Sequence, residues 1–282
     1  MADNSPDHLQ DLNGLAEPKM PRVFSIANQK GGVGKTTTAI NLGTALAAIG
    51  NKVLLIDLDP QGNASTGLGV AKAHRENSLY DVIVDRQPIK DAAVRTSVPN
   101  LSLLPSDPDL SGVEIELGQA ERRSYRLRDA LEGLDPEAFD YVLIDCPPSL
   151  NLLTVNAMSA SDAVIVPLQC EFFALEGLSQ LMRTIDLVRG SLNPRLTMQG
   201  IVLTMFDKRN ALSGQVENDV RSHFKHLVYD TVIPRNVRVS EAPSFGKPAL
   251  IYDLKCSGSQ AYIKLARELV ARERSRKTRD AA

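Results

Sequence analysis

The chain has 282 residues, 43% of them hydrophobic and 23% charged, which is the usage of a folded globular chain and excludes a disordered or fibrous one. A formal net charge of −2 excludes a protein that coats nucleic acid with its whole surface and leaves room only for a local basic patch. Trp is absent and aromatics are 5%, so the core is expected from Val, Ile, Leu and Ala, as in parallel strands covered by helices.

Residues 1–21 lack periodicity, carry Pro6, Gly14, Pro18 and Pro21, are net acidic and contain no apolar leader core, so they read as a flexible arm. From residue 22 to 274 short apolar runs alternate with amphipathic stretches, the pattern of βα units. Strands are expected at 23–27, 53–57, 101–104, 141–145, 163–167, 200–204 and 228–233. Helices are expected at 36–49, 111–120, 150–160, 175–189, 215–224 and 259–274. The fold class is therefore α/β: one doubly wound domain with a mostly parallel sheet flanked by helices. Residues 275–282 form a basic tail with Arg276, Lys277 and Arg279. In the last helix Tyr262, Leu265 and Leu269 recur at helical spacing, which predicts packing on the sheet rather than membrane attachment. No apolar run reaches membrane-spanning length. Cys146, Cys170 and Cys256 are widely spaced with no C-x-x-C pair, which fits reduced thiols in a cytoplasm and gives no ligand set for zinc.

Gly31-Gly32-Val33-Gly34-Lys35-Thr36-Thr37 directly follows an apolar strand and opens a helix, the context a phosphate loop requires. Glycines let successive main-chain N–H groups approach phosphate oxygens, and the helix start adds its positive dipole end. Lys35 is expected on the β- and γ-phosphates of ATP and the Thr36 hydroxyl on Mg²⁺. Two more strands end in acids: Asp57 followed by Asp59, and Asp145. Ligands collect at the carboxyl ends of parallel strands, so Asp57 and Asp145 are candidates to place Mg²⁺. On an extended strand Asp57 and Asp59 would face one side, which suits a shared role for metal-bound and attacking water. Pro60 and Gly62 let that loop turn.

The generic phosphate loop has glycine where this chain has Gln29. Lys30-Gly31-Gly32-Val33-Gly34-Lys35-Thr36 instead resembles the deviant Walker A loop of the ParA and MinD ATPases and of nitrogenase iron protein. Asp57-Leu58-Asp59-Pro60-Gln61-Gly62-Asn63, Cys146-Pro147-Pro148-Ser149, Gln169-Cys170-Glu171-Phe172-Phe173-Ala174 and Pro234-Arg235-Asn236-Val237-Arg238 are similar to chromosomal ParA (Soj-type) proteins, and the resemblance extends over 22–274. It implies an ATPase whose catalytic residues are Lys30, Lys35 and Asp59. Lys30 would reach across an ATP-dependent homodimer, and Asp59 would orient the hydrolytic water. Met205, Pro234 and Asn236 would border the adenine. The family binds double-stranded DNA without sequence preference, and a ParB-like partner stimulates hydrolysis and release, which implies a nucleoid-associated protein. Lys208, Arg209, Arg221, Lys225, Arg235 and Arg238 are the candidate DNA contacts. The rival within the fold is a MinD-like or cargo-positioning ATPase acting on a membrane or protein array. An electron-transfer protein would need paired cysteines around a cluster.

Overall fold

The structure, a computed structural model, describes residues 20–75, 77–171 and 174–280; the expected arm before Met20, and Phe172 and Phe173, lie outside the described residues. The strands are β1 (Arg22–Ile26), β2 (Val53–Asp57), β3 (Val94–Arg95), β4 (Leu101–Leu104), β5 (Tyr141–Asp145), β6 (Ala163–Gln169) and β7 (Thr197–Thr204). They form one sheet in the order β3-β4-β2-β5-β1-β6-β7, parallel except for the two-residue edge strand β3. β5 sits between β1 and β2, so the helix Lys35–Ala48 that joins β1 to β2 crosses over β5.

The alternation of side chains across each strand builds two cores. Phe24, Ile26, Leu55, Leu143, Ile165 and Val202 face one way, where they meet the helix Lys35–Ala48 and the C-terminal helix Ser257–Asp280. Leu54, Ile56, Val142, Ile144, Val164 and Leu203 face the other, under the helices Leu152–Ala160, Ala174–Ser191 and Ala211–Phe224. Every residue of β2 is buried, which is why it reads as a continuous apolar run ended by one acid. The stripe Tyr262, Leu265 and Leu269 is buried in the first core, with Tyr262 sharing a 3.3 Å hydrogen bond with the Thr38 hydroxyl, so the final helix packs on the sheet as the spacing predicts. Among the described residues no helix is long and apolar enough to cross a membrane.

Three expected elements differ. Residues 228–233 run beside β7 but make only isolated bridges, Ile201 with Val228 and Phe206 with Pro234. The Tyr229 and Ile233 N–H groups still donate to the Ile201 and Leu203 carbonyls at 2.9 and 2.8 Å, but between them the Thr231 N–H goes to the Glu268 carboxylate at 3.0 Å, joined there by the Asp230 N–H at 2.9 Å, so the ladder is interrupted. The helix at 111–120 reduces to a tight 3-10 segment, Pro108–Gly112, and one turn, Val113–Glu116, because Gly118 leaves the helical region at φ 29°. The last helix continues to Asp280, so residues 275–280 are its final turns.

Burial alone would raise the Glu268 pKa; the two main-chain N–H groups and Arg272 outweigh it and hold the carboxyl below its ordinary value. Replacing Glu268 with Ala is expected to lower unfolding free energy by about 1–3 kcal/mol at neutral pH, read from the denaturant midpoint. Because the folded-state pKa is depressed, this stabilisation is present above the ordinary carboxylate value and is lost as pH falls. The difference between the two proteins should therefore close below about pH 4.5.

Candidate functional site

The loop after β1 is tied down at both shoulders. The Asn28 amide donates to the Pro167 carbonyl at 2.8 Å and its oxygen accepts the Lys30 N–H at 3.0 Å, which fixes the loop to β6. The Thr204 hydroxyl donates to the Val33 carbonyl at 2.8 Å, which fixes it to the end of β7. Gly32 and Gly34 have φ of 76° and 89°, a region side chains avoid, and Gly34 is the residue that enters the helix. Atoms added at Gly31 or Gly32 would meet nothing within 4 Å, so the main chain there faces open space. Lys35 is only 7% exposed, and its ammonium donates to the Lys30 carbonyl at 3.0 Å. Burial lowers its pKa against the attraction of Asp145 and Asp59. The Lys30 ammonium is held by Glu171 at 2.5 Å on its own subunit, in a pair that is about two-fifths exposed.

Asp57 and Asp145 are register partners at the ends of β2 and β5, both fully buried, and Ile26 at the end of β1 is the next in line. Asp57 Oδ2 accepts from the Ser65 N–H at 2.7 Å and the Ser65 hydroxyl at 2.6 Å, whereas its Oδ1 has no partner. Neither oxygen of Asp145 receives a hydrogen bond of good geometry. Burial, the first cause, raises the Asp57 pKa to about 6 despite the Ser65 bonds. Burial, and then the charge of Asp57, raises Asp145 well above the usual range, against the Thr36 hydroxyl and Lys35. β2 stops at Asp57, so the two-residue period does not reach Asp59. A turn sets Asp59 instead: its Oδ1 accepts the Gln61 N–H at 3.0 Å and its carbonyl the Gly62 N–H at 2.8 Å.

These residues fit a magnesium nucleotide. Buried carboxylate oxygens without partners are costly unless a cation or donor meets them, and here three such oxygens lie beside the helix that begins Lys35-Thr36. Among the described residues no three His, Cys, Asp or Glu side chains converge into a metal cage. Mg²⁺ needs none, since it keeps waters and binds through one or two carboxylates and substrate phosphates.

The expected basic residues divide. Lys208, Arg209 and Arg235 line one open groove of about 960 Å³ with Phe206, Pro234 and Lys264. Arg209 is 89% exposed and forks onto Asp207 at 3.0 and 2.9 Å, which pulls the Asp207 carboxyl down to about 2. Arg221 is committed to Glu217 at 2.9 Å and the Tyr229 carbonyl at 3.2 Å. Arg238 pairs with Glu241 at 3.2 Å, and Lys225 ends the helix Ala211–Phe224 with φ 46°. Met205 sits against the phosphate loop, its Cε 3.8 Å from where a Gly34 side chain would begin. The Asn236 side chain caps the helix Val237–Glu241 through the Val239 N–H at 3.3 Å and donates to the Ser257 hydroxyl at 2.9 Å.

Residues 21–198 match the AAA domain family. The chromosome partitioning protein ParA of Caulobacter vibrioides is 71% identical over 261 residues, covering 92% of this chain and 98% of the relative. The sporulation initiation inhibitor protein Soj of Bacillus subtilis is 52% identical over 252 residues, covering 89% and 99%. The chain belongs to the ParA/Soj family. Among solved structures, cobyrinic acid a,c-diamide synthase from Mycobacterium smegmatis with bound ADP and magnesium superposes with a TM-score of 0.80 at 39% identity, covering 91% of this chain and 96% of that one.

For a ParA/Soj-type site, sequence reasoning missed the residues that hold the named ones: Asn28 and Thr204 under the loop, Glu171 on Lys30, and Ser65 on Asp57. Ser106 also belongs here. It follows Leu104-Pro105 just past the end of β4, so the rule that sites gather at the carboxyl ends of parallel strands gave its neighbourhood but not its partner.

Asp57 with a raised folded-state pKa carries more protons folded than unfolded between pH 3.8 and about 6, so its contribution to stability falls as pH rises through that window. Above it the penalty is fully present. Asp57→Asn is therefore expected to raise the thermal stability of the nucleotide-free protein at pH 7.5, by an amount on the order of 3 kcal/mol, while weakening magnesium-dependent nucleotide binding. Thermal scans across pH, with the gain disappearing near pH 4, check the sign.

Proposed function

We propose that this chain is an ATP-dependent DNA-partition switch that hydrolyses ATP to ADP and phosphate. The observation that carries this reading is the cradle of main-chain amides and buried Lys35 set beside two buried carboxylates with unpartnered oxygens. The amides of 31–36 and Lys35 bind the phosphates; the Thr36 hydroxyl, Asp57 and Asp145 hold Mg²⁺ and its water shell. Bound magnesium supplies charge neutralisation across the phosphate oxygens. Asp59, on its turn, orients the water that attacks the terminal phosphorus, the bond to the leaving ADP oxygen breaks, and the displaced proton passes towards the carboxylate.

Lys30 leaves Glu171 and reaches the nucleotide of a second copy, so the terminal phosphate decides whether two chains clasp. Met205, Pro234 and Asn236 border the adenine. The groove with Lys208, Arg209 and Arg235, extended by Arg238 and flanked by Arg221 and Lys225, gives the dimer a face for non-specific double-stranded DNA. A ParB-like partner raises a slow basal turnover and releases the protein from the nucleoid.

Lys35→Ala is expected to abolish tight ATP binding in a calorimetric titration, whereas Asp59→Ala should keep ATP and accumulate on DNA. Wild-type protein with ATP and magnesium should bind random-sequence DNA with an affinity that drops steeply with salt, since each neutralised phosphate releases counterions. Arg209→Glu and Arg235→Glu should each reduce that retention without loss of nucleotide binding; full retention by both variants removes the groove from the proposal. A chain that stays monomeric when saturated with Mg-ATP sinks the switch itself.

A further inference from the structure

The turn that carries Asp59 is not self-supporting. Asp59 makes one local side-chain bond, to the Gln61 N–H, and its position along the turn is set through its carbonyl. That carbonyl is gripped from the next strand: the Ser106 hydroxyl donates to it at 2.5 Å. Ser106 is fully buried and spends each of its three polar groups on this region. Its N–H donates to the Ser65 hydroxyl at 3.1 Å, and that hydroxyl in turn donates to Asp57 Oδ2 at 2.6 Å. Its carbonyl accepts from Arg75 Nη1 at 3.0 Å.

Arg75 makes the mount rigid. It is 8% exposed, and its fork also bonds the Thr66 hydroxyl at 3.2 Å and the Val70 carbonyl at 3.2 and 2.9 Å, so one guanidinium ties residues 66 and 70, downstream of the Asp59 turn, to Ser106 just past β4. Gly62, with φ 65°, passes so close that an added Cβ would lie 2.5 Å from Arg75 Nη1. A guanidinium fork and a buried serine hold geometry well because their bonds diverge and no water competes for them.

We propose that Ser106 is a positioning residue for ATP hydrolysis: anchored by Arg75, it sets where Asp59 stands relative to the reacting phosphate without touching nucleotide. Ser106 links Asp59 to the β4 end and, through Ser65, to Asp57, so the water-orienting acid and the metal-holding acid are placed by the same hub. This inference rests on the proposed role of Asp59. Small displacements of an orienting group cost rate steeply, whereas binding, carried by the phosphate loop on β1, is left alone.

The test is Ser106→Ala in the full chain, assayed for steady-state turnover with Mg-ATP and random-sequence DNA. The substitution removes one methyl-sized hydroxyl and leaves the Asp59 carbonyl with the Gly62 N–H, so no buried acceptor is orphaned and the fold is expected to survive. The expected result is a kcat lower by about tenfold or more with KM for ATP and affinity for a non-hydrolysable ATP analogue unchanged. An Asp59→Ala/Ser106→Ala double variant should turn over no more slowly than Asp59→Ala alone, because the hydroxyl acts through Asp59. A wild-type kcat for Ser106→Ala overturns the proposal, as does a parallel loss of turnover and analogue affinity, or a double variant slower than Asp59→Ala. Asp59→Ala hydrolysing at the wild-type rate overturns the reading of Asp59 itself, and that arm is scored independently of Ser106.

Discussion

Two buried carboxylates set side by side at the ends of neighbouring strands are the constraint around which this molecule is arranged. Asp57 and Asp145 are brought together by parallel register, one at the end of each neighbouring strand, in an interior that disfavours the charge of both. An isolated interior charge costs several kcal/mol even after relaxation, so a fold keeps such a pair only where something outside the protein completes it. Lys35 adds a buried cation whose own ionised form burial disfavours. These side chains do not satisfy one another's charge and hydrogen-bonding needs, and a magnesium nucleotide is a species of matching charge and donor set.

The rest of the fold serves to keep these groups from relaxing away from one another. The phosphate loop is pinned to β6 through Asn28 and to β7 through Thr204, and the acid-bearing turn to β4 through Ser106. Ties thus run to strands on both sides of the centre. Lys30 is held differently, since its bond to Glu171 is substantially exposed and so worth little. That contrast separates the buried strand-end acids, which the fold holds rigid, from a lysine held only by an exposed ion pair.

The C-terminal helix has a comparable structural duty at the far edge of β7. Tyr262, Leu265 and Leu269 bury it against the first core, and Glu268 and Arg272 project from it to hold residues 226–231 by their main chain. Arg272 also lies 4.1 Å from the centre of the Tyr229 ring. The edge of the sheet is thereby flanked by the segment 228–234, held in place from the C-terminal helix, rather than extended by a regular eighth strand, and the groove holding Arg209 and Arg235 opens beside it.

The sequence by itself determined the strand cores, the phosphate loop and the strand-end acids Asp57 and Asp145, because an apolar run ended by a glycine-rich turn or an acid is a local pattern with a local cause. The two-residue period failed at Asp59 for an equally local reason, the strand stopping two residues earlier than the argument needed. What only the tertiary structure decided is which side chains brace these groups. Arg75, Ser106, Glu171 and Glu268 reach Ser106, Asp59, Lys30 and Asp230 across 31 to 141 residues of chain, and a polar residue's choice among distant partners leaves no period in the sequence. The same is true of the interrupted strand at 228–233: its β-pattern is genuine, and a carboxylate 37 residues away took the Thr231 donor from the middle of its ladder.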